Sequence, residues 1–176
     1  MATLKVPVTP EDHIQGDPGA EITLVEYGDY ECPHCGRAHP IVKRVQKRFG
    51  RRLSFVFRNF PLTQIHPLAQ TAAETAEFAG THGRFWEMHD LIFENQGRLA
   101  LPLLLELTET LGLDPEALRA ALESREFEPR VRKDFAGGVR SGVNGTPTFF
   151  IGDQRHDGSF ELEDLVRAIE ARLPRV

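Results

Sequence analysis

The sequence predicts an α/β fold in the order βαβ, helical block, ββα, and three observations carry that expectation. Two short runs, residues 22–27 (ITLVEY) and 53–57 (LSFVF), are β-branched or wholly apolar and flank a segment of helical periodicity. From Pro67 to about Gly142 the pattern is helical throughout. A further apolar run, residues 148–151 (TFFI), then leads through a turn to a short strand near Arg155 and a closing helix.

Residues 1–20 are punctuated by Pro and Gly, with TPED and GDPGA reading as turns, so an extended N-terminal arm is expected rather than a helix. After ITLVEY and the GDYECP break, Ile41, Val42, Val45 and Phe49 recur at helical spacing. LSFVF is nearly all apolar, as suits a parallel strand covered on both faces, and a βαβ unit therefore spans about 22–57. In the helical block an Ala-rich run is followed by FWEMHDLIF, by PLLLELTETLG and by a helix that Asp114 caps with Pro115 at its first position. A last stretch, about 129–141, stops at Gly142. Asn144-Gly145-Thr146-Pro147 turns into TFFI, and a helix over 161–172 ends the chain. The expected organisation is an arm (1–20), a core of 21–62 and 143–176, and an all-helical insertion (63–142).

The 176 residues, 40% hydrophobic and 27% charged, suit one compact domain that buries about 70% of its unfolded surface. With 21 Lys and Arg against 26 Asp and Glu, the net charge of -5 argues against a polyanion binder, so no nucleic-acid partner is expected. The longest strongly apolar stretch, 99–105, contains Pro102 and falls far short of the roughly 20 residues a bilayer span requires. No membrane segment is expected. The start, MATLKVPVTPEDH, lacks the features of a secretory leader, which points to the cytoplasm, or to an extracytoplasmic site if a leader has been removed.

The two cysteines, Cys32 and Cys35, stand as C-P-H-C at the start of the first helix. Residues three apart on a helix lie about 5 to 6 Å from each other, a separation that suits a disulfide. Pro33 belongs at the first helical position, which puts Cys32 near the N-cap, where free N–H groups and the helix dipole favour a thiolate. Cys32 is thus the natural nucleophile, and Cys35, one turn in, the shielded resolving thiol. Two other readings compete. A structural staple across so short a loop removes little chain entropy. A zinc site would need further ligands; His39 extends the pair to C-x2-C-x3-H, but no His pair follows at finger spacing.

DYECPHC after a strand, a long helical block and then GTPTFFIG together resemble the DsbA type of thioredoxin-fold thiol-disulfide oxidoreductase, over about residues 20–173. The resemblance implies a thioredoxin fold, βαβ and ββα, with a helical insertion. It makes Cys32 the attacking and Cys35 the resolving thiol, tuned by Pro33 and His34, with His34 donating a hydrogen bond toward the Cys32 sulfur. It also implies a cis Thr146-Pro147 bond beside the cysteines, where an extended substrate strand is received. Glu26 shares a strand face with Ile22 and Leu24 and lies six residues before Cys32, where DsbA-type proteins carry a buried glutamate. There it would relay the proton of Cys35; otherwise it is a strand-end carboxylate in water. No metal and no cofactor beyond the cysteine pair is expected. The implied partners are protein thiols and disulfides and an unidentified redox partner that recycles the pair.

Other features carry less. Lys43, Arg44, Lys47, Arg48, Arg51 and Arg52 lie opposite Ile41, Val45 and Phe49 and read as a solvated face. His82 and His89, with Phe85, Trp86 and Met88, have the spacing of core aromatics. The run LALPLLLEL either packs the helical block or lines a groove beside the cysteines. The activity expected is disulfide exchange, oxidising in vitro. The alternatives are a reductase or isomerase, and a redox-silent module that binds extended polypeptide.

Overall fold

A computed structural model describes residues 2–174; Met1 and residues 175–176, the outermost ends of the predicted arm and closing segment, lie outside the described residues. Among the described residues five strands form one sheet in the order β1-β3-β2-β4-β5. β2 (Ile22–Gly28) and β3 (Leu53–Asn59) are parallel, with Glu26 opposite Phe57, and α1 (Pro33–Phe49) crosses between them. β4 (Thr148–Ile151) runs antiparallel to β2 with Phe149 opposite Glu26, and β5 (Gln154–His156) extends it as a hairpin. The helical block comprises α2 (Ala69–Thr81), α3 (Phe85–Glu94), α4 (Leu101–Thr110), α5 (Pro115–Ser124) and α6 (Glu128–Arg140), and α7 (Leu162–Glu170) closes the chain. The Asp114 side chain accepts from the Glu116 N–H with Pro115 in the first turn, and Gly142 takes φ 83° just after α6.

Strand alternation sorts the core into two faces. Leu24, Phe55, Phe57, Phe149 and Ile151 pack with α1, α7 and the helices α2 to α4 in one continuous cluster. Val25, Tyr27, Val56 and Phe150 face the other way, onto Phe60 and the half-buried Leu4, Val8, Ile14 and Phe135. The helical block therefore closes over the same core as the sheet, with a satellite cluster of Phe78, Leu118 and Ala121 of its own. Leu103, Leu104 and Leu107 of the LALPLLLEL run are part of the shared core. Among the described residues no helix is long and apolar enough to cross a membrane.

The arm departs from expectation in one respect. It is extended, but it is built into the sheet. β1 (His13–Gln15) pairs antiparallel with β3, and Thr3 bridges to Gln154 at the opposite edge. Both edges would otherwise leave unpaired backbone groups. Between them the arm covers the Tyr27 face, where Asp12 pairs with Arg58 at 2.9 Å and Arg58 also donates to the Val6 carbonyl and the Tyr27 hydroxyl. The side chains of Arg58 and Asp12 are 3% and 9% exposed, so the pair is desolvated and ties the arm to the core.

Candidate active site

The first turn of α1 is built from the backbone outward. Cys32 is the N-cap residue, with extended φ −70° and ψ 122°, and Pro33 follows in the first turn. Asp29 fixes the approach: its carboxylate accepts from the N–H groups of Glu31 and Leu62 and contacts His66 Nδ1 at 2.7 Å. Its own N–H points at the Cys35 sulfur, 3.4 Å away. The thiols are not bonded to each other, and both residues are buried, Cys32 at 4% exposure and Cys35 at 0%.

The two sulfurs have opposite electrostatics. The Cys35 thiol donates to the Cys32 sulfur, and backbone N–H groups of Cys35 and His34 add to it; against the effect of burial, these hold Cys32 down to about 5. Cys35 is pushed well above the ordinary thiol range by burial, by the hydrogen bond it gives Cys32 and by the charge of Glu26. One side of the pair is a thiolate at neutral pH and the other a thiol.

His34 does not take the role the resemblance implied. Its ring is exposed and makes no hydrogen bond among the described residues; the backbone N–H is what reaches the Cys32 sulfur. In the first helical turn N–H groups point toward the cap while side chains splay outward, so backbone and ring part company.

Glu26 lies on the α1 side of the sheet, between Phe57 and Phe149 of the neighbouring strands, and is 3% exposed. Gly28 makes room for it, since a Cβ there would lie 2.5 Å from the Phe57 ring and 2.8 Å from Glu26 Oε2. Oε2 is buried without a hydrogen-bond partner. Burial, followed by repulsion from the Cys32 thiolate, raises the carboxyl to about 8. Thr146-Pro147 is cis, and the Thr146 carbonyl oxygen lies 3.6 Å from Cys32 Sγ. Half-buried Pro147 lines an open cleft of about 340 Å³ with Asn144, Thr148, Arg155 and His156.

One further element of the site had no reading in the sequence. Gln96 Nε2 donates to the carbonyl oxygens of both Tyr30 and Cys32, at 2.8 Å each, from the turn that follows α3. The available signal was Gly36: a Cβ there would lie 2.2 Å from Gln96 Oε1, and a glycine inside a helix often marks such an approach. Tyr30 Oη meets His89 Nδ1 at 2.8 Å inside a nest of Phe57, Phe85, Trp86 and Phe93. His89 is therefore a core residue, and burial lowers its basicity well below the usual histidine range. Arg44, Lys47 and Arg48 of α1, and Arg51 and Arg52 in the turn after it, are exposed, as a solvated face should be, whereas Lys43 is half-buried and paired with Asp90.

A family profile described as thioredoxin matches residues 8–171. Among solved structures, oxidised BdbD of Bacillus subtilis superposes with a TM-score of 0.86 at 25% identity, over 97% of each chain. A thioredoxin-like oxidoreductase of Silicibacter pomeroyi gives a TM-score of 0.79 at 26% identity, over 93% of this chain and 92% of the other. The α-DsbA1 of Wolbachia pipientis shares the fold, with a TM-score of 0.82 at 20% identity over 94% and 92% of the chains. By sequence the chain is 47% identical to a Na(+)/H(+) antiporter NhaA 1 of Salinispora arenicola, over 94% of this chain and 26% of that protein. It is 41% identical to an NhaA 1 of a Mycobacterium strain, over 96% of this chain and 28% of that protein. The chain spans about a quarter of the length of the curated relatives it matches.

Proposed function

This chain belongs to the thioredoxin family, with a DsbA-like architecture, and from that premise we propose that it exchanges disulfides with protein dithiols through Cys32 and Cys35, as a net oxidant. The observation that carries the reading is the split between the two sulfurs, a thiolate held at the helix start above a shielded, protonated partner. In the oxidising direction a client thiolate attacks Cys32 Sγ of the Cys32–Cys35 disulfide. The client–Cys32 bond forms, the Cys32–Cys35 bond breaks, and Cys35 leaves as a thiolate that takes a proton. A second client thiolate then attacks the client sulfur and expels Cys32, which leaves as a stabilised thiolate. The client loses two electrons and the pair gains them, so a separate redox partner must reoxidise it.

In this reading Glu26 exchanges that proton. Neutral at pH 7 and coupled to both sulfurs, it gives a proton to the departing Cys35 thiolate and recovers it in the reverse direction. Thr146 and Pro147 flank Cys32 where an extended client would lie, with the Thr146 carbonyl oxygen 3.6 Å from the sulfur. Pro33 and His34 act through the backbone they set at the first turn of α1.

The test is equilibration with glutathione together with melting of both redox forms. The reading expects a potential above about −200 mV and a reduced form that melts higher. A higher-melting oxidised form with a potential near about −270 mV would make the protein a reductase instead.

The antiporter-named relatives favour a second reading for the client, a membrane transport protein. A Cys35→Ser variant, whose Cys32 thiolate attacks a client disulfide and cannot be released by Cys35, should retain the disulfide form of such a protein as a mixed disulfide; retention of soluble proteins alone would set this reading aside.

A further inference from the structure

We propose a second site, independent of the thiol pair: a transition-metal site, of zinc type, formed by His39 of α1 with His89 and Asp90 of α3. One ring nitrogen of each histidine and a carboxylate oxygen of Asp90 lie within 4.8 Å of one another. Tetrahedral zinc with bonds of about 2.0–2.2 Å needs ligand atoms about 3.3 Å apart, so small side-chain rotations close the triangle. His39 Nε2 and Asp90 Oδ1 are already 3.5 Å apart.

The donor set is that of a three-ligand zinc site with its fourth position left to solvent. His39 and His89 are 9% and 2% exposed, whereas the Asp90 side chain is 28% exposed, which gives an entry path. A metal ligand also needs a partner that fixes its ring, and Tyr30 Oη holds His89 Nδ1 at 2.8 Å.

Two features mark the place as one for a cation. Asp90 Oδ1 is buried and takes no hydrogen bond of sound geometry. The Lys43 ammonium meanwhile sits 2.8 Å from Oδ1 and 2.9 Å from Oδ2, standing where a metal would neutralise the carboxylate. Its side chain is 39% exposed on a flexible stem, so it can swing to water when a divalent ion enters. The His39 that the C-x2-C-x3-H spacing would have assigned to a cysteine-based zinc site thus faces a ligand set without sulfur. A bound ion cross-links α1, which carries both cysteines, to α3, and through Tyr30 it restrains the turn that enters Cys32.

The test is calorimetric titration of zinc chloride into the full chain carrying Cys32→Ser and Cys35→Ser, which removes thiol coordination and makes the result independent of any redox activity. One zinc per chain is expected, with a raised melting temperature. On that background, His39→Gln or Asp90→Asn should weaken binding by about a hundredfold. Lys43→Met, which keeps an unbranched apolar stem at this half-buried position, should tighten it by about tenfold because it removes a competing charge. Tyr30→Phe should weaken it by about tenfold. Absence of zinc binding by a chain shown to be folded by circular dichroism overturns the proposal. So does binding that neither Asp90→Asn nor Lys43→Met alters.

Discussion

Gln96 holds Cys32 from the other side of the fold, its side-chain amide donating to the Cys32 carbonyl oxygen at 2.8 Å while also donating to that of Tyr30. One side chain of the helical block thereby sets the backbone at which the nucleophile is presented. Gln96→Ala should cost about 1–3 kcal/mol in urea denaturation, since two carbonyls lose their donor. Gly36→Ala, whose new Cβ would strike Gln96 Oε1 at 2.2 Å, should destabilise the native chain. In the Gln96→Ala background it should be neutral or stabilising, because alanine is the better helix former. Additive effects in that double-mutant cycle would show that the two side chains do not meet.

Alkylation of the reduced protein should proceed at Cys32 first, with a midpoint near pH 5, while Cys35 stays unreactive through neutral pH. The folded value lies below that of the unfolded thiol, so the thiolate stabilises the reduced protein fully above the unfolded value of 9.0 and loses that contribution as pH falls through about 5. At pH 7 it is on the order of 3 kcal/mol. Melting of the reduced form against Cys32→Ser between pH 4 and pH 8 checks the sign; a gap that widens on acidification contradicts it.

Glu26 works in the opposite direction. Its folded value of about 8 exceeds the usual 4.5, so folding is favoured below the lower value and the carboxyl becomes a progressive burden as pH rises through the window. Glu26→Gln should therefore stabilise the reduced protein by roughly 3 kcal/mol at pH 7 and by almost nothing at pH 4. Stopped-flow resolution of a mixed disulfide on Cys32 should slow in the same variant, with first attack nearly unchanged. A stability gain independent of pH, or equal loss in both kinetic steps, would remove Glu26 from the proton path.

Asp12 and Arg58 supply a prediction outside the site. Asp12→Asn leaves the Arg58 guanidinium, 3% exposed, without its anion, and should cost about 3–5 kcal/mol. Replacing both, as Asp12→Asn with Arg58→Met, should recover much of that loss in urea denaturation. Equal destabilisation by the single and double variants would mean that the arm is not anchored through this pair.

The order βαβ, helices, ββα was legible because periodicity and capping are local. LSFVF reads as a doubly covered strand, and Asp114-Pro115 and Gly142 mark helix ends, from nearest neighbours alone. The same locality placed Cys32 at an N-cap and Cys35 one turn inside, which already separates nucleophile from shielded thiol. What the chain did not disclose depends on groups distant in sequence. Pairing of His13–Gln15 with β3 requires a partner some forty residues away, and nothing in a Pro-punctuated arm announces it. Gln96 reaches Cys32 across 64 positions, and His39, His89 and Asp90 converge because α3 docks on α1. Glu26 acquires its raised basicity only when Phe57, Phe149 and the cysteine-bearing helix exclude water from it. Sequence patterns report which face of an element is apolar, and through that the elements themselves; the pairing of polar groups inside the core is decided by packing, once desolvation makes each unpaired group costly.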